Sequence, residues 1–425
     1  RLAALAAPHL LELSLLDECH RWCQAALLRL GLHESTTTHL ILQEALAISA
    51  LFTRRNGDEV RIPIEQGLRL AQTLNDPERE LRLLAGQHIF MCHIGHFREA
   101  VEVSQRSIEL ARRVGSPAGI VMSEWMLGAA YHLVGNQTHA LQHIEKGFKQ
   151  AAVHGTLKVD LLGFGHQIRA LTVLARTLWL SGVPDRAAQV AYQAIEEAEQ
   201  TEQPVSMLIV LLYASPVFLW RGDVEEAEAL VSRLNQHFSR YSFGPRAALG
   251  LALSGELALL KGELRTAAGS LCDALNTLYA EKLIMLTTTL SRSFSEALLE
   301  CGDIMEAEAM ITAALEQAEA RDESFDMPEL LRTRVQIGIV SGRLDTKSAE
   351  ATLRHSMALA NSQGALSLEL RSAMALGALL TNEERTEEAY AILAEVYDRF
   401  TEGHETRDLR TAKQLIEDWC PAARA

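Results

Sequence analysis

Hydrophobic residues recur along most of this chain with the three-to-four-residue spacing of an amphipathic α-helix. Segments 187–199 and 225–234 each place their apolar residues on one stripe and their charged residues on the opposite side. No segment shows the two-residue alternation of a half-buried strand. Asp76 followed by Pro77 is typical of an N-cap and a first helical residue, where proline loses no hydrogen bond. The pattern predicts an all-α protein.

A glycine followed five residues later by an alanine recurs at a nearly constant spacing. The pairs are Gly95/Ala100, Gly135/Ala140, Gly182/Ala187, Gly222/Ala227, Gly262/Ala267 and Gly302/Ala307. Successive glycines are 40, 47, 40, 40 and 40 residues apart. Glycine suits the left-handed conformation that ends a helix, and alanine suits a close crossing of the next helix with its partner. The sequence therefore predicts helical hairpins with a period of about 40 residues, stacked into a right-handed superhelix.

Small residues also recur seven positions before most of these glycines, where they would let the two helices of a hairpin approach. They are Gly128, Ala175, Ser215, Gly255, Ser295 and, in the last unit, Gly377. His88 in the first clear unit and Val335 in the Gly342 unit are exceptions. We expect a single α-solenoid over residues 1–425. It would have weaker N-terminal hairpins in 1–75, regular repeats in 76–400 and a C-terminal capping helix in 401–425.

The charge balance excludes some partners. The chain has 40 Lys and Arg against 55 Asp and Glu, a formal charge of −15. An acidic surface repels phosphate backbones, so we expect no direct binding of nucleic acid. No uninterrupted apolar run reaches the roughly 18 residues of a membrane span, so no membrane partner is expected. The six cysteines include no C-x-x-C pair, which favours reduced thiols in a cytoplasmic protein.

Sequence motifs for catalysis, cofactors and metals are missing. The chain contains no G-x4-G-K-[ST], no H-E-x-x-H and no G-x-S-x-G, so we predict no enzyme, no cofactor and no metal. Two groups of possible ligands lie close in sequence: Cys19, His20 and Cys23, and His88, His93 and His96. Because a complete ligand set would need distant partners, buried helix residues are the better interpretation of the first group. The three histidines straddle a turn, and metal binding is the less favoured interpretation there as well.

The concave surface is the best candidate for binding. In this architecture the first helix of each hairpin lines the groove, and the repeat register selects the following residues. The predicted site consists of Trp125, His132, Arg169, Arg176, Trp179, Trp220 and Arg292. Tryptophans beside arginines suit an anionic or flat metabolite, or a peptide. The alternative is that the tryptophans fill space between long repeats.

Pro216 lies inside the helix that ends near Trp220. Proline removes one backbone hydrogen bond there and clashes with the preceding turn. A bent helix at this point would open space for a ligand; the alternative is a kink that the helix tolerates.

The glycine, alanine and small-residue pattern resembles the tetratricopeptide repeat, and its longer period resembles the sugar-sensing domain of the bacterial maltose regulator. Four segments resemble one family more closely: residues 13–19 (LSLLDEC), 174–185 (LARTLWLSGVPD), 219–223 (LWRGD) and 397–403 (YDRFTEG). This family is the C-terminal region of large bacterial signal-transducing ATPases (STAND-like transcriptional regulators) with a winged-helix domain. The chain departs from it after Gly403, where His404 and Glu405 replace an aromatic and acidic pair.

The resemblance implies a sensor and interaction module of a multidomain bacterial signalling regulator. Since the chain does not begin with Met, we expect it to be a piece of a longer protein. An effector or protein partner would bind the concave face, and ATP hydrolysis and DNA binding would belong to N-terminal ATPase and DNA-binding domains. The alternative is a protein-interaction or oligomerisation scaffold that binds a peptide or partner domain and has no small-molecule pocket.

Overall fold

The computed structural model describes residues 1–30, 36–155, 165–241 and 243–420. Within these ranges the chain forms α-helices and one short 3-10 helix, Gly244–Arg246, and no strand. The helices of the first half are α1 (Leu2–Glu12), α2 (Leu16–Leu30), α3 (Thr37–Thr53), α4 (Asp58–Thr73), α5 (Pro77–His93), α6 (Phe97–Val114), α7 (Pro117–Leu133), α8 (Gln137–His154), α9 (His166–Leu180) and α10 (Pro184–Thr201). This content confirms the all-α prediction.

The second half continues the same alternation of helices and short turns. Its helices are α11 (Pro204–Arg221), α12 (Val224–Arg240), α13 (Ala247–Leu260), α14 (Leu264–Ala280), α15 (Thr287–Cys301), α16 (Ile304–Ala320), α17 (Met327–Val340), α18 (Thr346–Gln363), α19 (Leu366–Asn382), α20 (Thr386–Tyr397) and α21 (Arg407–Trp419). The last five residues of the predicted capping segment, 421–425, lie outside the described residues.

The helices form two layers. Each even-numbered helix packs between the odd-numbered helices before and after it, and the odd-numbered helices from α3 to α21 also contact one another in succession. Helices α7 and α9 are buried on most sides, whereas α6 and α12 bury one stripe. The odd-numbered helices therefore form the inner layer and the even-numbered helices the outer layer of an α-solenoid of helical hairpins, as predicted.

The repeated glycines have the two roles that the sequence predicts. Gly135 and Gly182 follow their helices with φ of +81° and +84°, which is the left-handed region. Gly128 lies inside α7, where an added Cβ would be 2.5 Å from Cγ1 of Ile144 on α8. At Gly377 the added Cβ would lie 2.4 Å from the Trp419 ring. Only a residue without a side chain permits such helix crossings.

The superhelix coils back on itself, so that its second turn lies against its first. The backbone N–H of Ile284 donates to the carbonyl oxygen of His93 at 2.6 Å. An added Cβ at Gly135 would be 2.9 Å from the backbone of Ser324, and α9 contacts α19. We call these contacts the turn-to-turn contact. Because of it, the inner face of the first turn is covered by the chain itself.

Helix α11 is the one described helix that is long and apolar enough to cross a membrane by length and composition. Inside the protein, 72% of that stretch is buried. It packs against α9, α10, α12 and α13. Its apolar character is therefore that of a core helix surrounded by its neighbours.

Candidate functional site

A largely enclosed cavity of about 60 Å³ lies between α5, α7, α9, α11 and the short 3-10 helix. We call it the arginine chamber. Its polar lining includes His93, His132, Arg169, Arg176, Tyr213 and Arg246 as well as Thr172 and Cys92, and apolar side chains form most of the wall. No aspartate or glutamate is among the described residues that line it.

Arg176 is the most enclosed of the three arginines, with 3% of its surface exposed. Its guanidinium carbon lies 5.9 Å from the ring centroid of Tyr213, 5.5 Å from that of Trp220 and 5.3 Å from that of Phe325. Its Nε atom has no hydrogen-bond partner among the described residues. Burial lowers the pKa of Arg176 to about 10, so the group stays charged at neutral pH. Aromatic faces surround this charge. Glu256 and Asp326 partly oppose the effect of burial on its pKa, but neither forms an ion pair with Arg176 or lines the chamber.

Arg246 and Arg169 complete the charged wall. The Nη2 atom of Arg246 donates to the carbonyl oxygen of Leu51 and lies 3.3 Å from Nδ1 of His93. Burial lowers the pKa of Arg246 to about 10. The half-buried Arg169 has its Nη2 atom 3.0 Å from Nε2 of His88. In the described part of the chain, none of the ion pairs involves the three chamber arginines.

The chamber histidines are neutral. Burial, and then the charge of Arg246, holds the pKa of His93 well below its usual range. Burial and the charge of Arg176 do the same for His132. Nδ1 of His132 lies 2.9 Å from Oε1 of Gln137, while its Nε2 atom has no partner among the described residues. The positive charge of the chamber therefore comes from the guanidinium groups alone.

A larger groove of about 980 Å³ runs along the inner layer from α11 to α21 and is open to solvent. We call it the charged groove. Trp220 of α11 stands at its N-terminal end, and Ile339 of α17 is one of its exposed apolar residues. Its central charged residues are Arg292, Glu296, Glu329, Arg332, Arg371 and Asp408.

These charges form a continuous series of ion pairs across four inner helices. Arg292 of α15 contacts Glu296 at 2.8 Å, and Arg332 of α17 contacts the same carboxylate at 2.8 Å. Glu329 of α17 contacts Arg332 at 2.9 Å and Arg371 of α19 at 3.1 Å. Arg371 in turn contacts Asp408 of α21 at 2.7 Å. In contrast to the chamber, every arginine of this series has a carboxylate partner.

The carboxyl groups of the groove differ in their affinity for protons. Burial by itself would raise the pKa of Glu329, but Arg332 and Arg371 lower it well below its usual range. Asp326 does not line the groove, but its carboxylate lies 3.1 Å from Nε of Arg292. Burial raises the pKa of Asp326 to about 6 even with Arg292 beside it. The carboxyl group of Glu329, at the centre of the series, is therefore ionised at neutral pH.

A small void of about 20 Å³ lies between the chamber and the groove. Arg176 is shared with the chamber, Trp220 and Glu256 are shared with the groove, and Pro216 lines the void itself. The proline interrupts the hydrogen bonding of α11 at this point, as its position in the sequence predicts. The two cavities are thus separated by the side chains around Trp220.

The structure places five of the seven predicted site residues in these two cavities. His132, Arg169 and Arg176 line the chamber, whereas Trp220 and Arg292 line the groove. The repeat register thus selected inner-layer residues. It did not indicate which of them line the enclosed chamber and which line the open groove.

The other two predicted residues, both tryptophans, lie in packed surroundings. The Trp179 ring is 4.8 Å from the Trp220 ring, and the guanidinium carbon of Arg371 lies 5.0 Å from the Trp179 ring centroid. Trp125 is buried between α7 and α8, 5.1 Å from Phe148, and its indole Nε1 has no partner among the described residues. Trp125 lines neither the chamber nor the groove.

Sequence reasoning missed Arg246 and Phe325, which both lie in connections between helices. Arg246 follows Gly244 and Pro245 and has no acidic residue within six positions on either side, which is the one local signal for an unpaired arginine. His93, considered above as a possible metal ligand, is a chamber residue instead. No cluster of three or more potential metal ligands occurs among the described residues.

Comparison with solved structures shows the class of fold. The chain is similar to the structure of NprR in complex with its cognate peptide NprX, with 13% identity over 85% of this chain and 98% of that chain and a TM-score of 0.59. It is also similar to the apo form of the quorum sensor NprR from B. thuringiensis, with 15% identity over 84% and 97% of the two chains and a TM-score of 0.50.

A third similar structure is the APC/C hetero-tetramer Cut9-Hcn1, with 16% identity over 87% of this chain and 62% of that chain and a TM-score of 0.56. At these identities the likeness concerns the fold alone. The chain is therefore a tetratricopeptide-like helical-repeat protein. No protein-family model matches the sequence, and no curated protein matches it either.

Proposed function

We propose that this chain is the sensor and interaction module of a multidomain bacterial signalling ATPase that regulates transcription, and that a peptide segment of a partner binds in its charged groove. The module itself performs no chemistry and works in the cytoplasm. Its other partners are the N-terminal ATPase and DNA-binding domains of the parent protein.

The observation that carries this proposal is the shape and lining of the charged groove. It is open, it follows the inner layer across six odd-numbered helices, and it presents charges of both signs beside apolar side chains. Its volume of about 980 Å³ lies at the upper end of small-molecule sites. An extended peptide suits such a groove because its backbone groups and alternating side chains meet several repeats in turn.

The fold comparison agrees with a peptide as ligand, since NprR was solved in complex with its cognate peptide NprX. The regulatory context comes from the four segments that resemble signal-transducing ATPases. A peptide that prefers one arrangement of the superhelix would shift the neighbouring ATPase domain toward that arrangement.

The test is selection of peptides from a random displayed library on the purified chain, followed by affinity measurement with two variants. Ile339→Glu places a carboxylate in the groove, whereas Met305→Glu changes an exposed apolar residue on the outer helix α16, outside the groove. We expect the selected peptides to bind at least about tenfold more weakly to the Ile339 variant, a loss of about 1.4 kcal/mol. Binding to the Met305 variant should stay unchanged.

Two results would count against groove binding. Selected peptides that bind the Ile339→Glu and wild-type chains equally well would place their site elsewhere. A selection that yields no specific peptide, while an isolated parent domain binds the chain, would favour the scaffold alternative.

A further inference from the structure

We propose that the arginine chamber is a binding site for a small, doubly charged oxyanion of the phosphate class, either free phosphate or the phosphate group of a small ester. This site is distinct from the charged groove, and the inference does not depend on peptide binding there.

The first argument is the charge of the chamber. Arg169, Arg176 and Arg246 bring three guanidinium groups to one cavity, and its described lining contains no carboxylate. A buried charge without a partner is costly, because the protein interior does not replace the water that the ion has lost. An anion held between guanidinium groups removes this cost and forms charge-assisted hydrogen bonds.

The second argument comes from a comparison within the same protein. Arg292 of the charged groove is also buried, Arg332 and Arg371 are partly buried, and each forms an ion pair at 2.7–3.1 Å. The chain therefore supplies carboxylates to these other inner-layer arginines. The chamber arginines differ in lacking them, as is typical of arginines that bind an anionic ligand.

The third argument is an unused hydrogen-bond donor. Nε of Arg176 is buried and has no partner among the described residues. Arg176 is 3% exposed, so water at the surface does not satisfy this donor. Buried polar atoms normally have partners. An unused donor on a residue that lines a cavity with two further guanidinium groups therefore indicates an acceptor in that cavity.

The size of the cavity limits the ligand. At about 10–15 Å³ for each water-sized position, a volume of about 60 Å³ holds roughly four to six non-hydrogen atoms. A phosphate ion has about five, and it carries a charge of about −1.5 to −2 at pH 7. A single carboxylate would leave more of the positive charge unbalanced. The void of about 20 Å³ beside Pro216 and Trp220 has room for roughly one or two further atoms, so an ester group there would be no larger than a methyl or ethyl group.

Because of the position of the chamber, a bound ligand would affect the packing of the two turns of the superhelix. Arg246 reaches α3 through its bond to the Leu51 carbonyl oxygen, and Phe325 of the second turn lies on Arg176 and 4.8 Å from the His132 ring. An anion in the chamber would therefore hold together parts of both turns. The turn-to-turn contact becomes tighter when the site is occupied.

The experiment is thermal unfolding of the whole chain while phosphate replaces chloride at constant ionic strength and pH 7.4. We expect Tm to rise with phosphate and to follow a saturation curve, because a ligand that binds only the folded state stabilises it. Arg176→Met should abolish the rise or weaken the apparent affinity at least about tenfold. Arg233→Met removes an exposed arginine of α12, paired with Glu199, and should keep the full rise.

Further titrations with other anions distinguish a free phosphate ion from an esterified phosphate. Sodium acetate tests a singly charged oxyanion and should have little effect. A larger rise with methyl phosphate than with inorganic phosphate would identify an esterified ligand, and the reverse order would identify the free ion.

The proposal fails if Tm follows ionic strength alone and is the same in phosphate and chloride. It also fails if Arg176→Met responds to phosphate as the wild type does. If that variant does not fold, Arg169→Gln replaces it, because Arg169 is only half-buried, and calorimetric titration of the wild type with phosphate decides the result. A titration without saturable heat or Tm change overturns the proposal.

Discussion

Phe325, in the connection before α17, lies on Arg176 of α9 with 5.3 Å between its ring centroid and the guanidinium carbon. The same ring is 4.8 Å from the His132 ring. The two partners of this contact come from different turns of the superhelix. A residue of the second turn thus contacts Arg176 and His132, which line a cavity of the first turn, so the chamber and the turn-to-turn contact depend on each other.

A double-mutant cycle should detect this contact. Arg176→Met and Phe325→Leu each remove the cation–π interaction, so the two stability changes should not add. We expect an interaction energy of about 0.5–2 kcal/mol from urea unfolding of the four proteins. As the control, Phe400→Leu changes a buried phenylalanine of the C-terminal core. Its effect should add to that of Arg176→Met; strict additivity in the Phe325 cycle as well would contradict the contact.

Paired glycine variants should measure how tightly the two turns pack. Gly135 and Gly302 both have left-handed backbones, with φ of +81° and +87°. A Cβ at Gly135 would lie 2.9 Å from the Ser324 backbone, whereas a Cβ at Gly302 has nothing within 4 Å. Both alanine variants should lose about 1–2 kcal/mol from backbone strain. Gly135→Ala should lose about 1–3 kcal/mol more from overpacking.

Chemical denaturation at one pH is sufficient for this comparison. Equal losses of stability in the Gly135→Ala and Gly302→Ala proteins would show that the two turns do not press against each other at Ser324.

Glu323 should make the protein less stable as the pH rises through the weakly acidic range. Burial raises the pKa of Glu323 to about 7, although its bond from the Thr288 hydroxyl opposes this. Between its ordinary pKa of 4.5 and 7 the folded chain holds a proton that the unfolded chain has released. Stability contributed by this group is therefore full below pH 4.5 and is lost as the pH rises through 7.

Glu323→Gln should imitate the protonated carboxyl and remove this dependence. At pH 8 we expect the variant to be more stable than the wild type by up to about 3 kcal/mol, at about 1.4 kcal/mol per pKa unit. Urea unfolding from pH 4.5 to pH 8 measures the difference. Glu319→Gln, at an exposed position of α16, is the control. Parallel profiles of wild type and Glu323→Gln would refute the assignment.

Glu329 should have the opposite dependence on pH. Its carboxylate is 1% exposed and bridges Arg332 and Arg371. Glu329→Gln removes the charge between two buried arginines, so we expect a loss of about 3–5 kcal/mol at pH 7. Because these arginines lower its pKa, the stability from Glu329 is present above its ordinary value of 4.5 and is lost as the pH falls.

Unfolding of the Glu329→Gln protein at pH 7 and at pH 3 tests both parts of this prediction. The loss of stability caused by Glu329→Gln should be smaller at pH 3 than at pH 7. Glu388→Gln removes an exposed carboxylate that also pairs with two arginines, Arg354 and Arg385, and it should change little. A Glu329 variant as stable as the Glu388 variant would show that the groove charges do not support each other.

The repeat could be predicted because its causes are local. The glycine after each inner helix, such as Gly302, and the small residue inside such a helix, such as Gly128, act on neighbours less than one repeat away. Their spacing was sufficient to predict the hairpins and their stacking. The same register identified Trp220 and Arg292 as inner-layer residues, because every hairpin presents the same face to the axis.

The division of the inner surface into an enclosed chamber and an open groove was decided by the tertiary structure. Small rotations between repeats add up along a solenoid, so the sequence of one hairpin does not determine which distant hairpin it meets after a full turn. Arg246 and Phe325 lie outside the repeat register. For this reason their proximity to Arg176 could not be predicted from the sequence. The sequence by itself determined which residues face the axis, and only the coiling of the second turn onto the first decided which of them remain open to a partner.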